Sequence, residues 1–483
     1  MMQIQVKDEK MLLAGQWIDA EKSFDVLNPQ DNKLIARVPK ASKVDMLLAI
    51  EKAQEAYEGA LSWPTHERIR VLTQTARYIT DQKDRYARTI ALEGSKTIQE
   101  ARCEVDRAIQ TIQISAEEAR RLDGRTINFD QSPGSENKVG YSYRFPIGVV
   151  GAITPFNDPL NLVAHKVGPA IASGNAVIVK PASATPLSAL LLGEAFMESG
   201  LPAGLLSIIT GSGREIGETL VTHPSIKMVS FTGGLEAGER IAKLAGLKKI
   251  SMELGSNSPV IVLNDACLED AVQSCVSGSF SAVGQNCIGV QRIYVEKACY
   301  PIFLENFIQT ANLLNVGDKL DDSTDMGPLI NEKEAKRVEA WIDEAVSEGA
   351  NVCCGGKRTG SYIHPTVLTD VPNTATIAQE EIFGPVVLIY PVENVYEAVE
   401  KSNDVNYGLQ AGIFTSDINK AYYAIKYLHV GGVMVNDSSD YRIDEMPFGG
   451  VKGSGLGREG VRSSIKAMSE EKVVSFRLKQ PLL

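Results

Sequence analysis

From Gly148 onward, short apolar runs alternate with helix-like stretches, and this alternation constrains the fold more than any other feature of the chain. Gly148–Ile153, Ala176–Val179, Leu205–Ile209 and Met228–Phe231 read as strands, and Pro186–Met197 and Arg214–Leu220 between them as helices. Strands separated by helical crossovers imply a parallel sheet. A second series opens with the strand Pro259–Leu263. It continues into a helix on which Leu268, Ala271, Val272, Cys275, Val276 and Phe280 share one face. The expected class is α/β. At 483 residues the chain exceeds the size, about 250–300 residues, at which one hydrophobic core stops growing.

The flanking segments read differently. Asp45–Arg121 is rich in Ala, Leu, Glu, Gln and Lys, with Pro64 as its one strong breaker, and predicts helix. Leu122–Lys138 holds Gly, Asn, Ser and Pro and predicts a loop or extended excursion. Gly453, Gly455, Gly457 and Gly460 mark a turn, and Lys472–Leu478 a final strand. Net charge of −11 offers no global attraction to nucleic acid or an anionic membrane. No apolar run reaches the roughly 18 residues of a membrane span, and Met1–Met11 lacks the apolar core of a signal peptide. Seven scattered cysteines, with no metal-ligand spacing, suggest reduced thiols in a cytoplasm and no metal.

Several residues carry chemistry, each with a plainer alternative. Cys287 sits in the Gly-flanked turn Gly284-Gln-Asn-Cys287-Ile-Gly289, beyond the apolar stripe that buries Cys275. It is either structural or a nucleophile; a free thiol is only a few per cent ionised at neutral pH, so a nucleophile needs local help. Glu253, before Gly255, is a surface charge or a partly buried base with a raised pKa. Asn157 closes a strand as a turn residue or as an oxyanion donor. Gly211-Ser-Gly213-Arg-Glu-Ile-Gly217 and Phe231-Thr-Gly233-Gly234 each join strand to helix. The first is one residue too long for the dinucleotide fingerprint, and either turn is a weak signal alone.

The set in order is specific. Pro155-Phe-Asn157, Val179-Lys180-Pro181-Ala182, Phe231-Thr-Gly233, Met252-Glu253-Leu254-Gly255, Gly284-Gln-Asn-Cys287, Glu380-Glu381-Ile-Phe383-Gly-Pro385 and Pro447-Phe-Gly449-Gly450 together resemble the aldehyde dehydrogenase superfamily over nearly the full length. The resemblance implies two Rossmann-like parallel-sheet domains and a small bridging element. Residues 1–121 and 142–252 would bind cofactor, 253–440 would carry catalysis, and 122–141 with 468–483 would bridge subunits in a homodimer or homotetramer. It also implies that Cys287 attacks the aldehyde carbon while Asn157 and the Cys287 amide hold the oxyanion. The tetrahedral adduct passes hydride to NAD or NADP, and water activated by Glu253 hydrolyses the thioester, with Lys166 beside the proton path. Ile153, Lys180, Ser183, Gly213, Gly233, Gly234, Glu381 and Phe383 fall at cofactor positions.

Two departures from the family pattern matter. Ser183 stands where strictly NAD-dependent relatives carry Glu; serine does not repel a 2′-phosphate, so NADP should be accepted. Gly234 replaces a common Ser. Asp158, His165 and Arg442 stand where relatives for apolar aldehydes line the tunnel with aromatics, and Asn286 precedes the nucleophile. Arg442 suits an anionic group, so the expected substrate is a small polar, anionic aldehyde. This fits the branch of lactaldehyde, phosphonoacetaldehyde, sulfolactaldehyde and non-phosphorylating glyceraldehyde-3-phosphate dehydrogenases. Alternatively, Arg442 and Asp158 pair with each other. The rival functions are a CoA-acylating dehydrogenase, in which the base position tends not to be Glu, and a non-catalytic dinucleotide-binding protein on the same fold.

Overall fold

The computed structural model describes residues 7–479. Met1–Val6 of the N-terminal segment and residues 480–483 of the expected bridging element lie outside the described residues. Two large sheets organise the chain. The first runs in the order Gly455–Leu456, Lys249–Glu253, Ile226–Thr232, Val149–Ile153, Ala176–Lys180, Leu206–Ile208, Met11–Leu13, Gln16–Ile18. Its five middle strands are parallel. Val149–Ile153 is first in sequence among them and lies between the two branches, so connections leave it in opposite directions. Loops diverge at such a switch point and open a crevice beyond the strand's carboxyl end.

The second sheet has seven strands: Asn351–Cys354, Thr366–Thr369, Val386–Val392, Val290–Glu296, Ser258–Val262, Gln410–Phe414 and Gly432–Val435. All neighbours are parallel except the antiparallel edge at Asn351–Cys354. Its strands are almost wholly apolar because helices cover both faces. The first sheet has its own core, shared with the expected helical region. That region forms four helices, Lys43–Gly59, Thr65–Asp81, Lys83–Glu93 and Ile98–Ala119. Pro64 sits at the N-cap of the second, where its missing N–H costs nothing.

Some elements depart from the sequence reading. Residues before Asp45 form short strands, and Met11–Leu13 joins the first sheet antiparallel to Leu206–Ile208. Arg214–Leu220 is not one α-helix. A wide five-residue turn, Gly213–Gly217, precedes a short helix Glu218–Thr222, as expected where glycines interrupt the pattern. The expected bridging boundary at 141 falls inside a strand: Lys138–Pro146 pairs along its whole length with Ser469–Arg477. With Arg125–Ile127 these form a separate three-stranded sheet. Buried Asn175 anchors this sheet to the first. Its side-chain oxygen accepts from the amides of Ile147 (2.7 Å) and Gly148 (3.0 Å), and its Nδ2 donates to the Met468 carbonyl (2.7 Å).

Candidate active site

A cleft of about 880 Å³ opens at the switch point, between the carboxyl ends of the two parallel sheets. The first sheet contributes Ile153, Asn157, Thr232, Gly233, Gly234 and Glu253; the second layer contributes Cys287, Glu381 and Phe383. Phe156 and Phe383 meet edge to face across it, with ring centroids 5.7 Å apart. The structure therefore brings Cys287, Glu253 and Asn157 to one cavity.

Glu253 ends its strand beside Thr232 and Gly455. The Gly-rich C-terminal turn packs over it so closely that a Cβ on Gly449 would stand 3.0 Å from its Oε1. The residue is 2% exposed, and neither carboxylate oxygen has a hydrogen-bond partner. Burial and the neighbouring charge of Glu459 push its pKa well above the usual carboxylate range; Arg442, Lys166 and Arg458 oppose the shift without cancelling it. Glu459 lies in the same buried cluster but is fully partnered. Lys166 Nζ lies 3.3 Å from its Oε1 and Arg442 Nη2 lies 3.2 Å from its Oε2. Burial alone would raise the Glu459 pKa, but Lys166, His165 and Arg442 outweigh it and hold the carboxyl at about 2. Lys166 also donates to Ser230 Oγ at 3.1 Å. It therefore reaches Glu253 through charge rather than direct contact.

The Cys287 thiol is pushed up to about 12 by burial. Arg442 pulls it down, and Glu381, Glu253 and Glu459 push it further up. Burial and these carboxylates outweigh Arg442 and leave the sulfur protonated. The local help expected of a nucleophile is thus limited to one arginine, and a cation entering the cleft would favour the thiolate.

The cofactor positions divide between two adjoining spaces. Gly233 and Gly234 open the helix Leu235–Ala245, whose N-terminus carries no side-chain cap. Its free amides face the cleft, a favourable arrangement for a pyrophosphate. A Cβ on Gly233 would meet the Phe231 ring at 2.6 Å, and one on Gly255 would collide with the Glu381 carboxylate. Glu381 accepts from the Ser256 amide at 2.9 Å, and burial raises its pKa to about 7. A second hollow of about 290 Å³ shares Ile153 and Phe231 with the cleft and adds Lys180, Gly213, Arg214 and Arg240. Burial lowers Lys180 to about 8. Ser183 is exposed at the loop beside this hollow and donates to the Gly211 carbonyl at 3.0 Å. Glu218 also lines this hollow and pairs with Arg240 at 2.9 Å, which leaves Lys180 and Arg214 as its unpaired cations among the described residues; uncapped amides, glycine cradles and these cations fit a dinucleotide.

The expected polar substrate residues separate. His165 is fully buried, with Nε2 bonded to Asp444 at 2.8 Å, and does not line the cleft. Asp158 pairs with Lys96 and lies 3.7 Å from Arg107, not with Arg442. Asn286 folds back, its Oδ1 accepting from the Ile288 amide at 3.2 Å. Arg442 does not line the cleft either, but its charge acts on both Cys287 and Glu253. It stacks on Phe448 at 3.7 Å, and its buried Nε has no partner. The sequence reading missed Glu459, Asp444 and Arg107. A lone Glu after Arg458 gives no periodic signal, and only folding brings it to Lys166.

The profile of the aldehyde dehydrogenase family matches residues 17–474. The 3-sulfolactaldehyde dehydrogenase of Priestia aryabhattai is 44% identical over 98% of this chain and 99% of its own. The crystal structure of aldehyde dehydrogenase 21 from Physcomitrella patens, in complex with the reaction product succinate, superposes with a TM-score of 0.97 at 41% identity. It covers 99% of this chain and 100% of that one. The glyceraldehyde-3-phosphate dehydrogenase GapN of Methanocaldococcus jannaschii, complexed with NADP, gives 0.91 at 39% identity, over 95% of this chain and 100% of that one. The chain belongs to the aldehyde dehydrogenase family. It is an aldehyde dehydrogenase that works with NAD or NADP.

The protonated thiol makes a direct prediction. In dinucleotide-free protein, alkylation of Cys287 by iodoacetamide, followed on its own peptide by mass spectrometry, should rise about tenfold per pH unit between about pH 7 and pH 10. The sign follows from a raised pKa: the thiolate fraction grows until pH nears about 12. A plateau already reached below pH 8 would contradict it.

Proposed function

We propose that this enzyme oxidises a small anionic aldehyde to its acid through a thioester on Cys287. The observation that carries the hydrolytic reading is Glu253, a buried carboxylate with both oxygens unpartnered, in the same cleft as the thiol. Cys287 gives its proton to solvent water in the cleft and bonds the aldehyde carbon, whose carbonyl electron pair moves to the oxygen. The oxyanion is held by the Asn157 side chain and the Cys287 amide, neither of which is engaged by another protein group among the described residues; each such donor is worth roughly 100- to 1,000-fold in rate. The nicotinamide, when bound, supplies the hydride acceptor. Glu253, its pKa raised well above the usual carboxylate range, takes a proton from the water that attacks the thioester, and Glu459, fixed as an anion by Lys166 and Arg442, keeps the surrounding charge in balance.

Ile153, Lys180, Ser183, Gly213, Gly233 and Gly234, within the cofactor-binding residues 1–121 and 142–252, would hold the dinucleotide together with Glu381 and Phe383 from residues 253–440, which carry catalysis. Ser183, which brings no carboxylate to its loop, and Lys180 and Arg214 in the adjoining hollow support acceptance of NADP. Arg442, with a buried Nε unspent, supports an anionic substrate. The relatives agree in chemistry: one is named for a sulfonate-bearing aldehyde, one is complexed with a dicarboxylate product and one is named for a phosphate ester. The test is absorbance at 340 nm with short aldehydes and NAD or NADP in parallel. Turnover should need no CoA, should proceed with NADP, and should favour anionic aldehydes. Arg442→Ala should raise KM about tenfold or more for an anionic aldehyde and little for a neutral one. Equal effects on both, or dependence on CoA, would overturn the reading.

The chain is also proposed to self-associate in the cytoplasm as a dimer or tetramer. Tyr141, Tyr143, Phe145 and Phe476 share one face of the three-stranded sheet and leave it exposed and apolar, and Ser469–Arg477 is an open edge among the described residues. All seven cysteines are free. Sedimentation should show an oligomer that Phe476→Asp weakens; a monomeric parent protein would refute this.

A further inference from the structure

The turn that carries Cys287 is strained, and a residue from the other layer of the molecule holds it. Ala282, Val283 and Gly284 are consecutive left-handed residues, with φ of 51°, 62° and 66°. For a β-branched valine this conformation is disfavoured, and strained residues of this kind persist only where their surroundings over-determine them. Gly284 is required: a Cβ there would collide with the Gly384 carbonyl beside Phe383, itself left-handed at φ 47°. Within its own layer the turn is tied by Gln285, whose Oε1 accepts from the Ile330 amide at 3.0 Å and whose Nε2 donates to the Ala282 carbonyl at 3.3 Å.

One bond crosses from the first layer. Glu100, in the first turn of the helix Ile98–Ala119, accepts the Ala282 amide on Oε1 at 2.6 Å. Its other oxygen accepts from the Thr97 amide at 2.9 Å and the Thr97 hydroxyl at 3.2 Å, completing that helix's capping box. The helix packs in the core of the first sheet. A single carboxylate thus caps a helix of one layer and grips the first left-handed residue of the nucleophile turn in the other.

We propose that Glu100 is a positioning residue: it holds the strained Ala282–Gly284 turn against the first layer and so sets where Cys287 stands relative to Asn157 and Glu253. The proposal rests on Cys287 being the nucleophile, as above. Without this bond the turn relaxes, and misplacement by about 1 Å costs on the order of 100-fold in rate. Thr97 provides the control, because Thr97→Ala removes the capping hydroxyl and leaves the Ala282 amide bonded.

The experiment compares Glu100→Ala and Thr97→Ala with the parent protein. Amide hydrogen exchange of residues 281–287 is read by mass spectrometry, together with kcat, KM and the NADP Kd by fluorescence. Glu100→Ala should speed exchange in this segment about tenfold or more and lower kcat about 100-fold, with KM and Kd within about threefold. Thr97→Ala should lower Tm but leave the segment's exchange and kcat near the parent's. If Glu100→Ala does not fold, Glu100→Gln, which leaves one acceptor oxygen for two sets of donors, should show the same pattern at smaller size. Unchanged exchange, faster exchange with kcat intact, or equal loss of kcat in Thr97→Ala would overturn the proposal. Exchange needs no turnover, so a parent protein inactive on every aldehyde would sink the catalytic reading and still report whether Glu100 holds the turn.

Discussion

Two carboxylates share one buried pocket in this protein, and only one of them is neutralised. Glu459 has Lys166 and Arg442; Glu253 has no hydrogen-bonding partner. Their nearness makes it costly for both to be charged at once, and the cations are placed so that Glu459 takes the charge and Glu253 keeps a raised pKa. A residue without that asymmetry would be a permanently ionised carboxylate, poorly matched to taking and returning a proton near neutral pH. The close approach of Gly449 to Glu253 helps keep that carboxylate buried, which sustains the asymmetry.

The cleft itself follows from topology. A parallel sheet whose connections diverge on either side of Val149–Ile153 leaves a crevice at the strand's carboxyl end, and Thr154–Asn157 lie there because they follow that strand. The second sheet is set so that the turn before Val290–Glu296 enters the same crevice. Glycines are placed where the chain packs too closely for a side chain: Gly255 against Glu381 of the other layer, and Gly233 and Gly284 against Phe231 and Gly384 within their own layers. The nucleophile and the base thus come from different sheets, and their separation depends on how firmly the two layers are joined.

Much of this was legible in the sequence for identifiable reasons. The central strands are buried on both faces, so they appear as unbroken apolar runs whose limits fall within a residue or two of Val149–Ile153, Ala176–Lys180 and Ser258–Val262. The motif residues Asn157, Glu253 and Cys287 sit at strand ends or tight turns, where glycine and proline leave a local mark. What could not be read was pairing between distant charges. Asp158 met Lys96, and His165 met Asp444 rather than the cleft, because a helix face in sequence does not say which neighbour it will pack against. Glu100 falls inside the stretch Asp45–Arg121 read as helix, with nothing to set it apart, and its bond to the Ala282 amide exists only once the layers meet. Before Asp45, the strands Met11–Leu13 and Gln16–Ile18 were missed because three residues carry too little periodicity, and the longer Lys22–Leu27 and Leu34–Lys40 were also not read.

The most direct test of the account is a single-turnover experiment on Glu253→Gln, mixed rapidly with an anionic aldehyde and NADP. If Glu253 serves hydrolysis and not the first steps, one equivalent of NADPH should form per active site. Turnover should then stall, with an acyl group found by mass on Cys287. A variant that forms no NADPH burst, or that turns over at the parent rate without an acyl adduct, would contradict the division of labour between the thiol and the buried carboxylate.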